Sequence, residues 1–310
     1  MRFFDLHCDT ITRCCDKKQD VFDGAQEVTL RSGSRLDGWC QCFAIFIDDK
    51  CPEDRAFIKY KAYVEYFDKE IARHCEYITH CRNSGDIGTA LEQGKCAAVL
   101  TLENAAALGG DMENIRLLAA NGVKAVTLTW NGENSLGYGS AVGGHLKPFG
   151  REAAKEIINS GMAVDVSHLS DEGFCDILKL TDASVFASHS NLRDKKLSAH
   201  PRNLTADQLR EIAARGGVAG LNLHRPFLSA DDVVANNPET LLRHADRMLE
   251  IAGEDAICIG SDFDGAEMPD FCRTIGDIPA LFRLFSKTFG ERIANKVFFE
   301  NANNFFSNMI

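Results

Sequence analysis

Three histidines and three carboxylates terminate or immediately follow apolar runs in this chain: His7 and Asp9 after Phe3-Phe4, Glu103 after Ala97 to Leu102, His168 after Met162 to Ser167, His189 after Ser184 to Ser188, and Asp262 after Ala256 to Ser261. Imidazole nitrogen and carboxylate oxygen both ligate zinc and related divalent ions, and an ion held this way can make a nucleophile of water near neutral pH. In an extended strand the side chains at i and i+2 point to one side, so His7 and Asp9 can reach one ion together. Alone, His-x-Asp is better read as a strand end with Asp9 capping the next turn. The joint set reads differently, because acids crowded on one rim repel one another unless cations neutralise them. Two neighbouring ions need a bridging acid, and Glu103, on an intermediate strand, suits that position.

Such convergence requires a scaffold whose strand ends meet. Strand-like runs recur at Trp39 to Ile47, Ala97 to Leu102, Ala125 to Trp130, Met162 to Ser167, Ser184 to Ser188, Gly217 to Leu223 and Ala256 to Ser261, in addition to the first. Helical patterns lie between them, the longest from about Glu53 to Cys75 with Phe57, Tyr60, Val64 and Phe67 on a 3–4 spacing. Ser170 is an N-cap candidate, Thr205 and Gln208 fit a capping box, and Pro238 suits a first helical position. Thr10 to Leu36 is polar and turn-rich and predicts a long loop over the site. Eight strands alternating with helices, with no linker, predict a single α/β domain over residues 1–310, a (β/α)8 TIM barrel closed by C-terminal helices. Barrel enzymes carry their chemistry at the C-terminal strand ends, where these residues fall. The alternative is a doubly wound open sheet, but no glycine-rich phosphate fingerprint follows any strand.

Bulk properties narrow the partners. At 310 residues, with 45% hydrophobic and 25% charged residues, the chain has the composition of a globular protein. Its 34 Lys+Arg against 45 Asp+Glu give a formal charge of −11, which argues against nucleic acid or an anionic membrane as the main partner and for a small substrate. The first strand starts within two residues of Met1, leaving no room for a signal peptide, so a cytoplasmic location is expected. The 12 cysteines are scattered without a CxxC and are expected to be reduced.

The stretches Phe4-Asp5-Leu6-His7-Cys8-Asp9, Leu102-Glu103-Asn104, Leu128-Thr129-Trp130-Asn131, Asp165-Val166-Ser167-His168, Ala187-Ser188-His189-Ser190, His200-Pro201-Arg202-Asn203 and Gly260-Ser261-Asp262-Phe263-Asp264-Gly265 together resemble the renal (membrane) dipeptidase family, peptidase family M19 of the amidohydrolase superfamily. The resemblance runs through almost the whole chain in order. It implies a metal-dependent hydrolase barrel with two zinc ions that cleaves dipeptides, including those with a C-terminal D-residue, by a bridging hydroxide. Carried over to matching positions, His7 and Asp9 hold the more buried zinc, Glu103 bridges, and His168 and His189 hold the second. Asp262 then orients the water and accepts its proton, and Arg202 pairs with the substrate carboxylate. Family members are often dimers, so a homodimer is possible.

One departure matters. Animal members carry a His at the end of the fourth strand that contacts the substrate, where this chain has Trp130. Indole donates one hydrogen bond but neither titrates nor ligates. Asn131 beside it, or His145 in the next loop, is the candidate to polarise the carbonyl, and His224 with Arg225 faces the same rim. Asp5 and Asp264 read as turn or supporting residues. Two other functions remain open: deacylation of an N-acyl amino acid or opening of a lactone on the same binuclear centre, and metal binding without catalysis.

Overall fold

The computed structural model describes residues 1–309. Its strands are β1 (Arg2–Cys8), β2 (Gly38–Phe46), β3 (Ile78–His80), β4 (Cys96–Glu103), β5 (Val123–Thr127), β6 (Ala163–Asp165), β7 (Ala219–Leu221) and β8 (Ile257–Ile259). They hydrogen-bond in the order β6-β5-β4-β2-β1-β8-β7, and all pairs are parallel. Parallel bridges from Asp165 to Phe186 and from Ala187 to Ala219 carry the chain between β6 and β7 and close the ring. The expected strand Ser184 to Ser188 is therefore present only as these two bridges, yet it is the stave that makes the sheet a barrel. β3 lies outside the ring, paired with the first half of β4, and three residues are too few to leave an alternation signal.

The strands are buried on both faces, as a sheet wrapped in helices demands. In β4 every residue of Cys-Ala-Ala-Val-Leu-Thr-Leu-Glu is buried. Pleat parity divides the apolar side chains into two clusters. Phe4, Leu6, Cys40, Cys42, Ala97 and Val99 pack into one with Phe305 and Phe306. Phe3, Trp39, Phe43, Ala98 and Leu100 pack into the other, with the surrounding helices. The C-terminal helix (Asn301–Met309) seals the end of the barrel away from the carboxylate rim, where Phe306 stacks on Phe4 with centroids 5.3 Å apart.

The expected long loop from Thr10 to Leu36 is corrected by the structure. It opens as helix α1 (Thr10–Lys17), with Ile11 and Cys14 buried one turn apart, and contains a further turn of helix at Leu30–Gly33. An apolar stripe of only two residues among polar neighbours is a poor periodic signal. The long helix expected next is α2 (Glu53–Arg73), with Tyr60, Val64 and Phe67 buried as their spacing required. Ser170 caps its helix through the Gly173 amide, and Thr205 and Gln208 form the reciprocal capping box.

Candidate metal centre

β1 does not deliver His7 and Asp9 by simple pleating. Its register against β2 shifts between Asp5 and Cys8. Leu6 packs with the Phe305 and Phe306 cluster and Cys8 with the one that includes the surrounding helices, although two residues apart they should share a face. Asp9 leaves the extended conformation (φ −99°, ψ 15°) to start α1, and the two side chains still end with His7 Nε2 3.7 Å from Asp9 Oδ2. Glu103 is the last residue of β4. His168 and Asp262, just past β6 and β8, both hold positive φ, 66° and 65°. Such backbone is costly for residues other than glycine and persists where the surroundings enforce it.

These six side chains are brought together. Glu103 Oε2 lies 3.4 Å from His7 Nε2, and its other oxygen, Oε1, lies 2.9 Å from His168 Nε2 and 3.7 Å from His189 Nε2. The ligand atoms of His7, Asp9 and Glu103 lie within 4.8 Å of one another, as do those of Glu103, His168 and His189, and of His7, His189 and Asp262. Glu103 belongs to both of the first two groups. A fourth grouping, Asp20, Glu70 and His74, already contains a cation, since Arg73 pairs with both acids.

The far nitrogens of two rings are committed to other partners. His168 Nδ1 lies 2.9 Å from Asn131 Oδ1, an oxygen that can only accept, so Nδ1 carries the proton. His189 Nδ1 meets Ser188 Oγ at 2.6 Å, and that hydroxyl donates to Asp165 Oδ2 at 2.5 Å. The proton positions so assigned leave both Nε2 atoms as acceptors, yet they face each other at 2.9 Å. Among the described residues, His7 Nε2 and Asp9 Oδ1 are buried without any hydrogen-bond partner. Lone pairs aimed at one another and buried ligand atoms without partners fit a cation between them, and the nitrogen and oxygen donor set suits zinc and similar divalent ions.

Charge follows the same geometry. Burial, with Arg202 nearby, depresses His168 to about 4, and burial with the His7 and Arg202 charges depresses His189 further, which favours the neutral rings that metal ligation requires. Burial also disfavours the charged form of His7, but Glu103 and Asp9 outweigh it and hold His7 well above its ordinary value. Burial would raise Glu103; the His7 and His168 rings instead draw it well down. Asp9 is pushed up to about 6 by burial and by Glu103. Asp262 is pushed up to about 7, mainly by burial, with the Asn222 amide donating to its Oδ2 at 2.9 Å. Asp5 supports the cluster from behind by accepting from Ser261 N, Ser261 Oγ and Gln41 Nε2.

The cluster opens into a cavity of about 380 Å³, within the range for a small ligand. Trp130 lines it, edge-on to Phe46 with centroids 5.0 Å apart. Asn131 and His224 also line it, whereas His145 does not; it pairs with Asp176 at 3.1 Å on the surface. Arg225 is tied up by Asp232 and Glu267 outside the cavity. Arg202 is buried behind His189: one terminal nitrogen donates to Ser190 Oγ at 2.5 Å, the other to the His189 carbonyl at 2.9 Å, and Nε has no partner among the described residues. It is not part of the cavity wall. The wall also includes Arg13 and Asp16 on α1, which the sequence reading passed over inside its expected loop. Their spacing from Asp9, four and seven residues, is one helical face and could have revealed them. Gly265 was part of the motif at residues 260–265 but was given no role. A Cβ there would meet Asp9 Oδ2 at 1.9 Å, so only glycine lets the backbone pass the cluster.

Comparison with known proteins agrees with this architecture. The family described as membrane dipeptidase, peptidase family M19, matches residues 1–308. An uncharacterized protein encoded in the pqqA 5′ region of Klebsiella pneumoniae is 33% identical over 226 residues, covering 70% of this chain and 82% of that protein. The solved structure of the dipeptidase AC, a metallopeptidase of family M19, superposes with a TM-score of 0.92 at 25% identity, over 100% of this chain and 98% of that one. A metallopeptidase from Rhodobacter sphaeroides, liganded with a phosphinate mimic of the dipeptide L-Ala-D-Ala, shares the fold with a TM-score of 0.91 at 23% identity, over 100% and 99%.

Proposed function

The chain belongs to the membrane dipeptidase family, peptidase family M19, and on that premise we propose that it hydrolyses dipeptides, including those with a C-terminal D-residue, using two divalent ions, zinc in the first instance, held by His7, Asp9, Glu103, His168 and His189. The observation that carries the reading is the division of Glu103, one oxygen toward His7 and the other toward His168 and His189. When bound, the ions supply Lewis-acid polarisation of the scissile carbonyl and lower the pKa of the attacking water.

The protein's own groups do the rest. Asp262 takes the proton of the attacking water and hands it to the leaving amine, and a carboxyl shifted toward neutrality suits both halves of that transfer. Asn222 fixes Asp262 through Oδ2, leaving Oδ1 for the proton. Asn131 and the Ser188–Asp165 pair hold the His168 and His189 rings in the tautomer that offers Nε2. Arg202, buried behind His189 and packed against Phe227 of the cavity wall, supplies positive charge to that side of the cavity for the substrate's free carboxylate. Trp130 and Phe46 form an apolar wall that keeps bulk water off the reacting bond.

That wall also supports a second reading, removal of an apolar acyl group from an N-acyl amino acid or opening of a lactone at the same centre. The deciding experiment is amino-group release from a panel of L,L- and L,D-dipeptides by metal-loaded protein, before and after chelation. Turnover that disappears with chelator and returns with zinc supports the dipeptidase. No release from any dipeptide, with cleavage of an N-acyl amino acid or lactone, replaces it with the second reading.

A further inference from the structure

Resting on the dipeptidase reading, the cavity wall bears on which dipeptide is taken. Asp9, Glu103 and Asp262 belong to the cluster, and Asp264 is satisfied by Thr10 Oγ1 at 2.6 Å, the Glu27 amide at 2.7 Å and Arg13 at 3.2 Å. Asp16 differs from all of these. It lines the cavity from α1 and is exposed, with one oxygen taking a hydrogen bond from the Tyr63 hydroxyl at 2.9 Å. Among the described residues no Lys or Arg forms an ion pair with it; Arg13, one turn before, is committed to Asp264 and Glu27. It is thus a carboxylate held in orientation by a phenol, with one oxygen free and its charge unpaired.

We propose that Asp16 selects dipeptides whose N-terminal residue carries a cationic side chain. The orientation follows from the ring. Arg202, assigned to the substrate carboxylate, packs beside Phe227 of the cavity wall and behind His189, which follows the stave between β6 and β7. α1 leaves β1, three staves away past β7 and β8. A dipeptide whose carboxylate lies at the Phe227 side of the cavity, the side nearest the Arg202 charge, with its peptide bond over the cluster, directs its N-terminal residue toward α1. Phe46 flanks that path and is tied to α1 by its amide, which donates to Thr12 Oγ1 at 3.0 Å. The aliphatic stem of a lysine can lie on the Phe46 ring while its ammonium reaches Asp16, the usual way long cations divide between apolar and polar surroundings.

The test compares Lys-Ala with norleucine-Ala, which keeps the stem and lacks the charge, in metal-loaded protein. The parent should favour Lys-Ala in kcat/KM, and Asp16→Asn should reduce that ratio by about 2- to 5-fold, the range for an exposed ion pair. Asp16→Lys should move preference toward Glu-Ala over Gln-Ala. The same ratios, read as Kd by calorimetry with phosphinate mimics of the two dipeptides, give a measure that needs no turnover. A Lys-Ala to norleucine-Ala ratio that Asp16→Asn leaves unchanged in both assays overturns the proposal while the dipeptidase reading stands. Absence of turnover and of mimic binding for both compounds overturns the two together.

Discussion

The Nε2 atoms of His168 and His189 face each other across 2.9 Å while the opposite nitrogen of each ring is held elsewhere, His168 by Asn131 and His189 by Ser188. Two imidazole lone pairs in that position repel unless something positive lies between them. Metal should therefore be a large contributor to stability. Loading at about 1,000 times Kd is expected to stabilise the fold by about 4 kcal/mol, read as a higher Tm that chelation reverses. An equal Tm with and without metal would argue that the cluster holds none.

Asp262 should separate from the ligands. Asp262→Asn keeps the shape and the Asn222 contact but removes the proton acceptor, so kcat should fall by about 10²- to 10⁴-fold with metal content near that of the parent by atomic absorption. Its closeness to His7 and His189 makes the contrary outcome informative. Metal lost together with activity would mean that Asp262 is a ligand.

Asn131 and His145 lie near one another in sequence but not in role. Asn131→Ala releases the His168 ring and should weaken metal binding by about 10- to 100-fold, measured against a chromophoric chelator, and Asn131→Asp, which keeps the acceptor, should restore most of it. His145→Ala removes an exposed partner of Asp176 and should leave kcat/KM within about twofold, as surface substitutions do. A large loss in the His145 variant would bring that loop back into the site.

Metal uptake should release protons. Without metal, His7 stays charged above its ordinary value of 6.5 because Glu103 and Asp9 outweigh the effect of burial. The stability that this charged ring contributes is complete below 6.5 and is lost as pH rises through its elevated folded value. Ligation needs the neutral ring, so at pH 7 to 8 His7 should give up about one proton per chain on loading, and apparent affinity should rise with pH across that window. Calorimetry in two buffers of different ionisation enthalpy counts the protons; uptake instead of release would reverse the assignment.

The sequence by itself determined the barrel and the membership of its rim. Apolar runs and their polar ends are local properties, so Glu103 at the close of β4 or Asp262 after β8 could be recognised without knowing what lay beside them. The tertiary structure decided the distances. Asp9 meets His7 because β1 shifts register against β2, Glu103 divides its oxygens because barrel closure brings β1 and the ends of β6 and the 186–187 stave to its two sides, and Arg202 is committed to Ser190 and the His189 carbonyl. α1 was lost in a polar stretch because two buried apolar residues, Ile11 and Cys14, are too few to mark a period, and with it went Asp16 and Arg13. Periodicity records which face of an element is buried; which atoms then touch depends on the register and closure of strands far apart in the chain.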